Sequence, residues 1–298
     1  MYLAPVLIFC YKRLDTLKQA IAALQKNELA KDTDLFIFSD GPKTEGDKIT
    51  IEELRSYIKN VRGFKTVVVN ESAINKGLAN SIIDGVTEVL GQHNRVIVLE
   101  DDLLTSSNFL GYMNEALQCY ERASKVFSIS GYSFPISVKN NYPFDNYFTR
   151  RGSSWGWATW KDRWDKIDWN VNDYESFLQE KEKQRSFNIM GSDLSGMLRK
   201  QMEGKINSWA IRWVYHQFIN DLFTVYPIKS KVRNIGFGVG ATHTSQKFNR
   251  FDTHLDDTGK LNFNFKLDPE LDEFFIKQFT SRFGVLQRTI YKTLNFFS

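Results

Sequence analysis

Cysteine is nearly missing from this chain. Cys10 and Cys119 are too few and too far apart for a disulfide framework or a cysteine-based metal site, so a reducing, cytoplasmic compartment is the simplest expectation. Long apolar runs are missing as well: no stretch reaches the roughly eighteen continuous apolar residues of a bilayer span. The opening run Ala4 to Tyr11 has no basic segment before it and Lys12 and Arg13 behind it, and reads as a first strand, not a signal peptide. No Gly-x-Gly-x-x-Gly follows that strand and no Gly-Lys-Ser/Thr phosphate loop occurs anywhere, which counts against a dinucleotide oxidoreductase and a P-loop enzyme. A general cationic excess is lacking too, and that weakens a nucleic-acid partner. Of 39 basic residues, Lys277, Arg282, Arg288 and Lys292 lie in a C-terminal stretch (274–298) without one acidic residue; the remaining 35 balance the 35 acidic ones.

What is present is α/β grammar over the first 130 or so residues. Apolar runs at Val6 to Cys10, Leu35 to Ser39, Thr66 to Val69, Val96 to Leu99 and Val126 to Ser130 read as strands. Leu14, Leu17, Ile21 and Leu24 repeat with a helical period, as do Ile82, Val86 and Val89, and then Phe109, Leu110, Met113, Leu117 and Tyr120. Strands this apolar fit a mostly parallel central sheet covered on both faces, whose ligands approach the carboxyl ends of the strands. The rhythm changes near residue 132. Five of the seven tryptophans, Trp155, Trp157, Trp160, Trp164 and Trp169, fall within fifteen positions. The expected organisation is one compact unit: a ligand-binding half (1–131), a second half (132–273) and the basic aromatic segment (274–298).

The sharpest local signal is Arg95-Val96-Ile97-Val98-Leu99-Glu100-Asp101-Asp102. A buried strand ends in three carboxylates, which repel one another unless a counter-charge is near. Two readings compete: a hard divalent cation bridging to ligand phosphates, or a solvated turn whose acids sit at a helix start.

Glu100-Asp101-Asp102 resembles the acidic metal motif of the GT-A fold glycosyltransferases, particularly the N-acetylglucosaminyltransferase that initiates complex N-glycans and family 2-like bacterial sugar transferases. That resemblance implies a Rossmann-like α/β fold, a nucleotide-diphosphate sugar donor of the uridine type, and Mn2+ or Mg2+ held by Asp102, with Glu100 and Asp101 supporting the ribose, the base or metal-bound water. Three earlier segments share it. Ile8 to Arg13 resembles the nucleotide-facing first loop, with Arg13 toward phosphate. Ser39-Asp40-Gly41 resembles the base-recognition position, and Asn75-Lys76-Gly77 the Asn-x-Gly helix start, where Lys76 favours an anionic donor. Singly, Arg13 and Lys76 read as surface groups and Asp40 as a turn residue; their order at successive strand ends joins them.

The second half is expected to hold the acceptor, a glycan or glycolipid. Ser153 to Trp160 resembles the family's segment beside the donor sugar, with Trp155 or Trp157 the ligand contact and Gly156 letting the chain pass close to it; the spacing of Trp157, Trp160 and Trp164 also fits one helix face, which would put some of these rings in the core. For an inverting transfer, Asp193, at a helix start after the acidic motif, is the expected base, though it also reads as a helix cap. In the glycine-punctuated stretch Ser230 to His243, Arg233 is expected at phosphate and His243 as a second metal ligand. The competing functions are a sugar-phosphate nucleotidyltransferase and a noncatalytic glycan-binding protein. For the basic aromatic tail, packing on the body is weighed against peripheral contact with an anionic membrane at its inner face.

Overall fold

The structure is a computed structural model that describes residues 2–237 and 250–296. In chain order its elements are β1 (Val6–Cys10), α1 (Leu14–Gln25), β2 (Asp34–Ser39), α2 (Lys48–Ile58), β3 (Thr66–Glu71), α3 (Leu78–Leu90), β4 (Arg95–Glu100), β5 (Leu103–Thr105), α4 (Phe109–Cys119) and β6 (Val126–Ser130). There follow β7 (Asn146–Thr149), β8 (Trp157–Trp160), α5 (Lys161–Trp164), α6 (Tyr174–Gln179), α7 (Lys181–Phe187), α8 (Leu194–Met202), α9 (Trp209–Ile219), β9 (Phe223–Pro227), β10 (Val232–Asn234), α10 (Glu273–Phe283) and α11 (Val285–Phe296).

Eight strands form one sheet in the order β3-β2-β1-β4-β8-β6-β9-β7. Six run in one direction, and β8 and β7 oppose their neighbours. β1 shows why the strands are apolar throughout. Val6, Ile8 and Cys10 enter a core shared with Leu17, Ile21 and Leu24 of α1, whereas Leu7 and Phe9 enter a second core with Ile82 and Val86 of α3. β4 alternates likewise, Ile97 and Leu99 to the first and Val96 and Val98 to the second. A strand buried on both faces has no position left for a polar residue until its end. At β4 that end is Glu100.

The tryptophan-rich segment departs from the helical spacing. Trp157 to Trp160 is a strand, wedged antiparallel between β4 and β6, and only Lys161 to Trp164 is helical. Strand alternation sends Trp157 to one face, where its ring lies 4.7 Å from Trp213, 4.9 Å from Trp209 and 5.7 Å from Trp164, centroid to centroid. Trp160 goes to the other face and donates Nε1–H to the Leu117 carbonyl at 3.2 Å. Gly156 has φ +61°, and a Cβ there would collide with Val232, so the glycine permits close packing against β10.

The tail is two helices. In α10 Phe275, Phe279 and Phe283 are buried against Phe134, Tyr147 and Tyr226. α11 is amphipathic: Leu286, Ile290 and Leu294 are exposed, while Tyr291 turns inward. Among the described residues no helix is long and apolar enough to cross a membrane.

Candidate functional site

The loops after β1, β2, β3 and β4 open on a single cleft of about 980 Å3 at the carboxyl ends of the parallel strands. β1 connects outward to β2 and β3 on one side while β4 lies on its other side, so the chain reverses direction across the sheet between β1 and β4. Open α/β sheets leave a crevice at such a point. Here it is spanned by Arg13, whose Nη1 lies 2.8 Å from Asp102 Oδ2 and whose Nη2 bonds Asp101 Oδ1.

Electrostatics at this crevice are severe. Burial, with the neighbouring charges of Asp102 and Asp101, pushes the Glu100 carboxyl up to about 8. Burial also raises Asp101 to about 6, although Arg13 opposes the rise. Asp102 Oδ2 is engaged by Arg13, but its buried Oδ1 has no hydrogen-bond partner among the described residues. An orphaned carboxylate oxygen facing a cleft suits a hard cation. Among the described residues no three His, Cys, Asp or Glu side chains form a group that could hold a metal by themselves.

A short segment closes over this pair. β10 pairs with β5, Ile235 donates its N–H to the Asp102 carbonyl at 2.9 Å, and Gly236 follows so tightly that a Cβ there would overlap Asp102 Oδ2 and Arg13 Nη1. Any side chain here would require Asp102 and Arg13 to shift.

The structure places the remaining expected residues unequally. Asp40 and Asn75 line the cleft, but both act on the backbone. Asp40 Oδ1 accepts from the Gly41 and Lys76 amides and Oδ2 from the Gly77 amide, while Asn75 donates to the Gly41 carbonyl. They hold the loop that starts α3, whose amino end, at Gly77, Leu78 and Ser81, borders the cleft. Lys76 turns away to Asp84 at 2.8 Å. Of the seven tryptophans only Trp155 lines the cleft, edge-on to Phe237 and Phe251 at 5.7 Å each; Trp157 is sealed in its indole cluster. Arg233 pairs with Asp252 outside the cleft lining, at 3.0 Å. Asp193 stands at the start of α8, as expected, yet it does not line the cleft, and Arg151 grips its carboxylate at 2.9 and 3.1 Å. Burial favours its neutral form, but the Arg151 pairing outweighs burial and holds it below the usual carboxyl range, which makes a weak base. His243 lies outside the described residues.

The lining also includes residues that the sequence does not single out as ligand contacts: Tyr11, Lys43, Asn234, Arg250, Phe251, Arg288 and Tyr291. Arg55 was also missed. It donates to the Ser39, Asp40 and Ser72 carbonyls and ties the ends of β2 and β3 together. Tyr11 and Asn234 fall inside segments already singled out, Arg288 and Tyr291 belong to the amphipathic tail, and no local motif marks the others.

No known family profile and no curated protein matches this chain. Solved structures with a partly similar layout include the mannosyltransferase PcManGT from Pyrobaculum calidifontis, in complex with GDP-Man and Mn2+, at 10% identity over 54% of this chain and 46% of that one, TM-score 0.36. TarS of S. aureus is 12% identical over 55% of this chain and 30% of its own, TM-score 0.35. A Bacillus anthracis structure assigned as a glucose-1-phosphate thymidylyltransferase, in complex with a sucrose, is 12% identical over 57% of this chain and 77% of that one, TM-score 0.34. This chain thus matches less than half the length of the first two structures.

Proposed function

We propose that this chain transfers a sugar, a hexose or N-acetylhexosamine, from a nucleotide-diphosphate sugar to a glycan or glycolipid acceptor, with a divalent cation at Asp102 and inversion at the anomeric carbon. The observation that carries the reading is the crevice between β1 and β4, where Arg13 bridges two buried carboxylates and Asp102 keeps one oxygen without a partner. When bound, Mn2+ or Mg2+ would neutralise charge on the departing diphosphate.

The chain's own groups do the rest. Arg13 holds Asp101 and Asp102 side by side, and its fork geometry suits phosphate oxygens. Asp40 and Asn75 fix the loop that aims the amino end of α3, a region of positive potential, into the cleft. Phe9 and Phe38, stacked at 4.9 Å, give the cleft an apolar wall for a base such as uracil. Inversion needs a base on the acceptor's side. Asp193 serves there only if acceptor binding parts it from Arg151.

The decisive experiment combines Mn2+ paramagnetic resonance with calorimetry of UDP and GDP. The wild type is expected to bind Mn2+ and one of the nucleotides together, and Asp102→Asn to lose the metal signal while staying folded. Metal binding that survives this substitution removes the assignment. The products separate the nucleotidyltransferase alternative, because sugar transfer releases nucleoside diphosphate and sugar-phosphate activation releases pyrophosphate.

The proposal also puts the protein in the cytoplasm, against an anionic membrane surface. Its support is the exposed stripe Leu286, Ile290 and Leu294, at 73%, 41% and 43%, on the helix whose other side borders the cleft. Flotation with phosphatidylglycerol vesicles is expected for the full chain. Equal flotation after deletion of residues 284–298 would overturn this part.

A further inference from the structure

Three guanidinium groups gather around one carboxylate at the edge of the cleft. Arg151 grips Asp193 with two bonds. Arg288 of α11 donates Nη1–H to Ser192 Oγ at 3.0 Å, beside Asp193, and Arg250 lies close enough to feel Asp193, Arg288 and Arg151 electrostatically. Arg250 and Arg288 line the cleft; Arg151 does not.

One anion cannot balance three cations. Arg250 and Arg288 form no ion pair of their own among the described residues, and the stretch 238–249 contains no Asp or Glu that could supply one. The carboxylates after β4 are paired with Arg13, and no ion pair joins them to Arg250 or Arg288 among the described residues. Two positive charges are therefore left over in a corner where burial already disfavours the Arg250 cation. Such a surplus is costly unless an anion arrives with the ligand. Beside it, Trp155, Phe251 and Tyr291 line the same cleft, an aromatic wall of the kind that suits a sugar ring.

We infer that the acceptor is anionic: it carries a phosphate or carboxylate that Arg250 and Arg288 receive, while its sugar lies along the Trp155, Phe251 and Tyr291 wall. Asp193, through Arg151 and its own charge, is a positioning residue that keeps the arginines gathered. This inference rests on the sugar-transfer reading.

The test titrates glucose, glucuronate, glucose 6-phosphate and inorganic phosphate, by calorimetry, into the full chain loaded with Mn2+ and whichever of UDP and GDP binds. Wild type, the double variant Arg250→Gln/Arg288→Gln and its lysine counterpart are compared, and thermal unfolding confirms that each is folded. The wild type is expected to bind at least one charged sugar about tenfold or more tighter than glucose. Carboxylate and phosphate are distinguished by which charged sugar wins. The preference should vanish in the glutamine variant and return in part with lysine, while nucleotide affinity stays within about twofold. A wild type that treats charged and neutral sugars alike overturns the inference, as does a preference that survives in the glutamine variant. A parallel loss of nucleotide affinity also overturns it, because the arginines would then serve the donor. Failure of both UDP and GDP to bind the wild type would instead overturn the sugar-transfer reading, and the inference with it.

Discussion

Arg13 Nη1 and Asp102 Oδ2 stand 2.8 Å apart across the gap between the ends of β1 and β4, and the same guanidinium reaches Asp101. The two carboxylates share one resident cation, in a place where burial penalises the charge of Asp101.

Replacing that cation should expose the repulsion it suppresses. Arg13→Gln is expected to lower stability by about 3 kcal/mol in metal-free buffer, the low end for breaking a buried pair. Millimolar Mn2+ should restore much of the loss, because a bound cation replaces the missing charge. Thermal unfolding with and without Mn2+ checks this; a variant as stable as wild type in both conditions would refute it.

Gly236 is the second test of the same corner. Gly236→Ala places a methyl group against Asp102 and Arg13. Because β10 and the residues after it lie outside the eight-stranded sheet, the expected result is a loss of about tenfold or more in Mn2+–nucleotide affinity with a modest change in melting temperature. Unchanged affinity in a calorimetric titration would count against the close approach.

The two tryptophans that flank Gly156 should respond oppositely. Trp157→Ala empties the indole cluster and is expected to cost about 3–5 kcal/mol, with little ligand-specific effect in whatever remains folded. Trp155→Ala should cost at most about 2 kcal/mol, since the ring is only half-buried, but should weaken sugar binding. Chemical denaturation paired with ligand titration separates them.

Asp193 gives a pH signature. Its carboxyl is held below the ordinary 3.8 when folded, so ionised Asp193 stabilises the native state above that pH and the contribution disappears as pH falls through the folded value. Asp193→Asn is therefore expected to be less stable than wild type at pH 7 and to converge on it as pH falls through the folded value. Stability curves that stay parallel down to that pH would show that the ion pair contributes nothing.

The parallel half of the fold was legible because its signal is local. Leu7 and Val98 had to be apolar for strands covered on both faces, and Leu17, Ile21 and Leu24 carry the helical period of α1 directly. The strand ends then brought Arg13, Asp40 and Glu100 to Asp102 to one cleft. The second half was harder. Trp157, Trp160 and Trp164 are spaced like a helix, but a four-residue strand followed by one helical turn produces the same spacing, and only pairing with β4, some sixty residues earlier, decides between them. Arg250 and Arg288 escaped for a related reason: they reach the cleft through docking of distant segments, which no short window records.

The position of β8 also bears on how the chain reaches its native state. β4 and β6, the last two strands that the first 131 residues give to the eight-stranded sheet, do not pair with each other; the gap between them stays open until Trp157 to Trp160 enters antiparallel to both. A nascent chain that has emerged only as far as β6 holds β4, whose centre Val96 to Leu99 is wholly apolar, with an unpaired edge. Completion of the sheet must wait for contacts of large sequence separation, which folds slowly and favours aggregation or chaperone capture in the interval. The crevice at Asp102 therefore rests on a strand that is finished late.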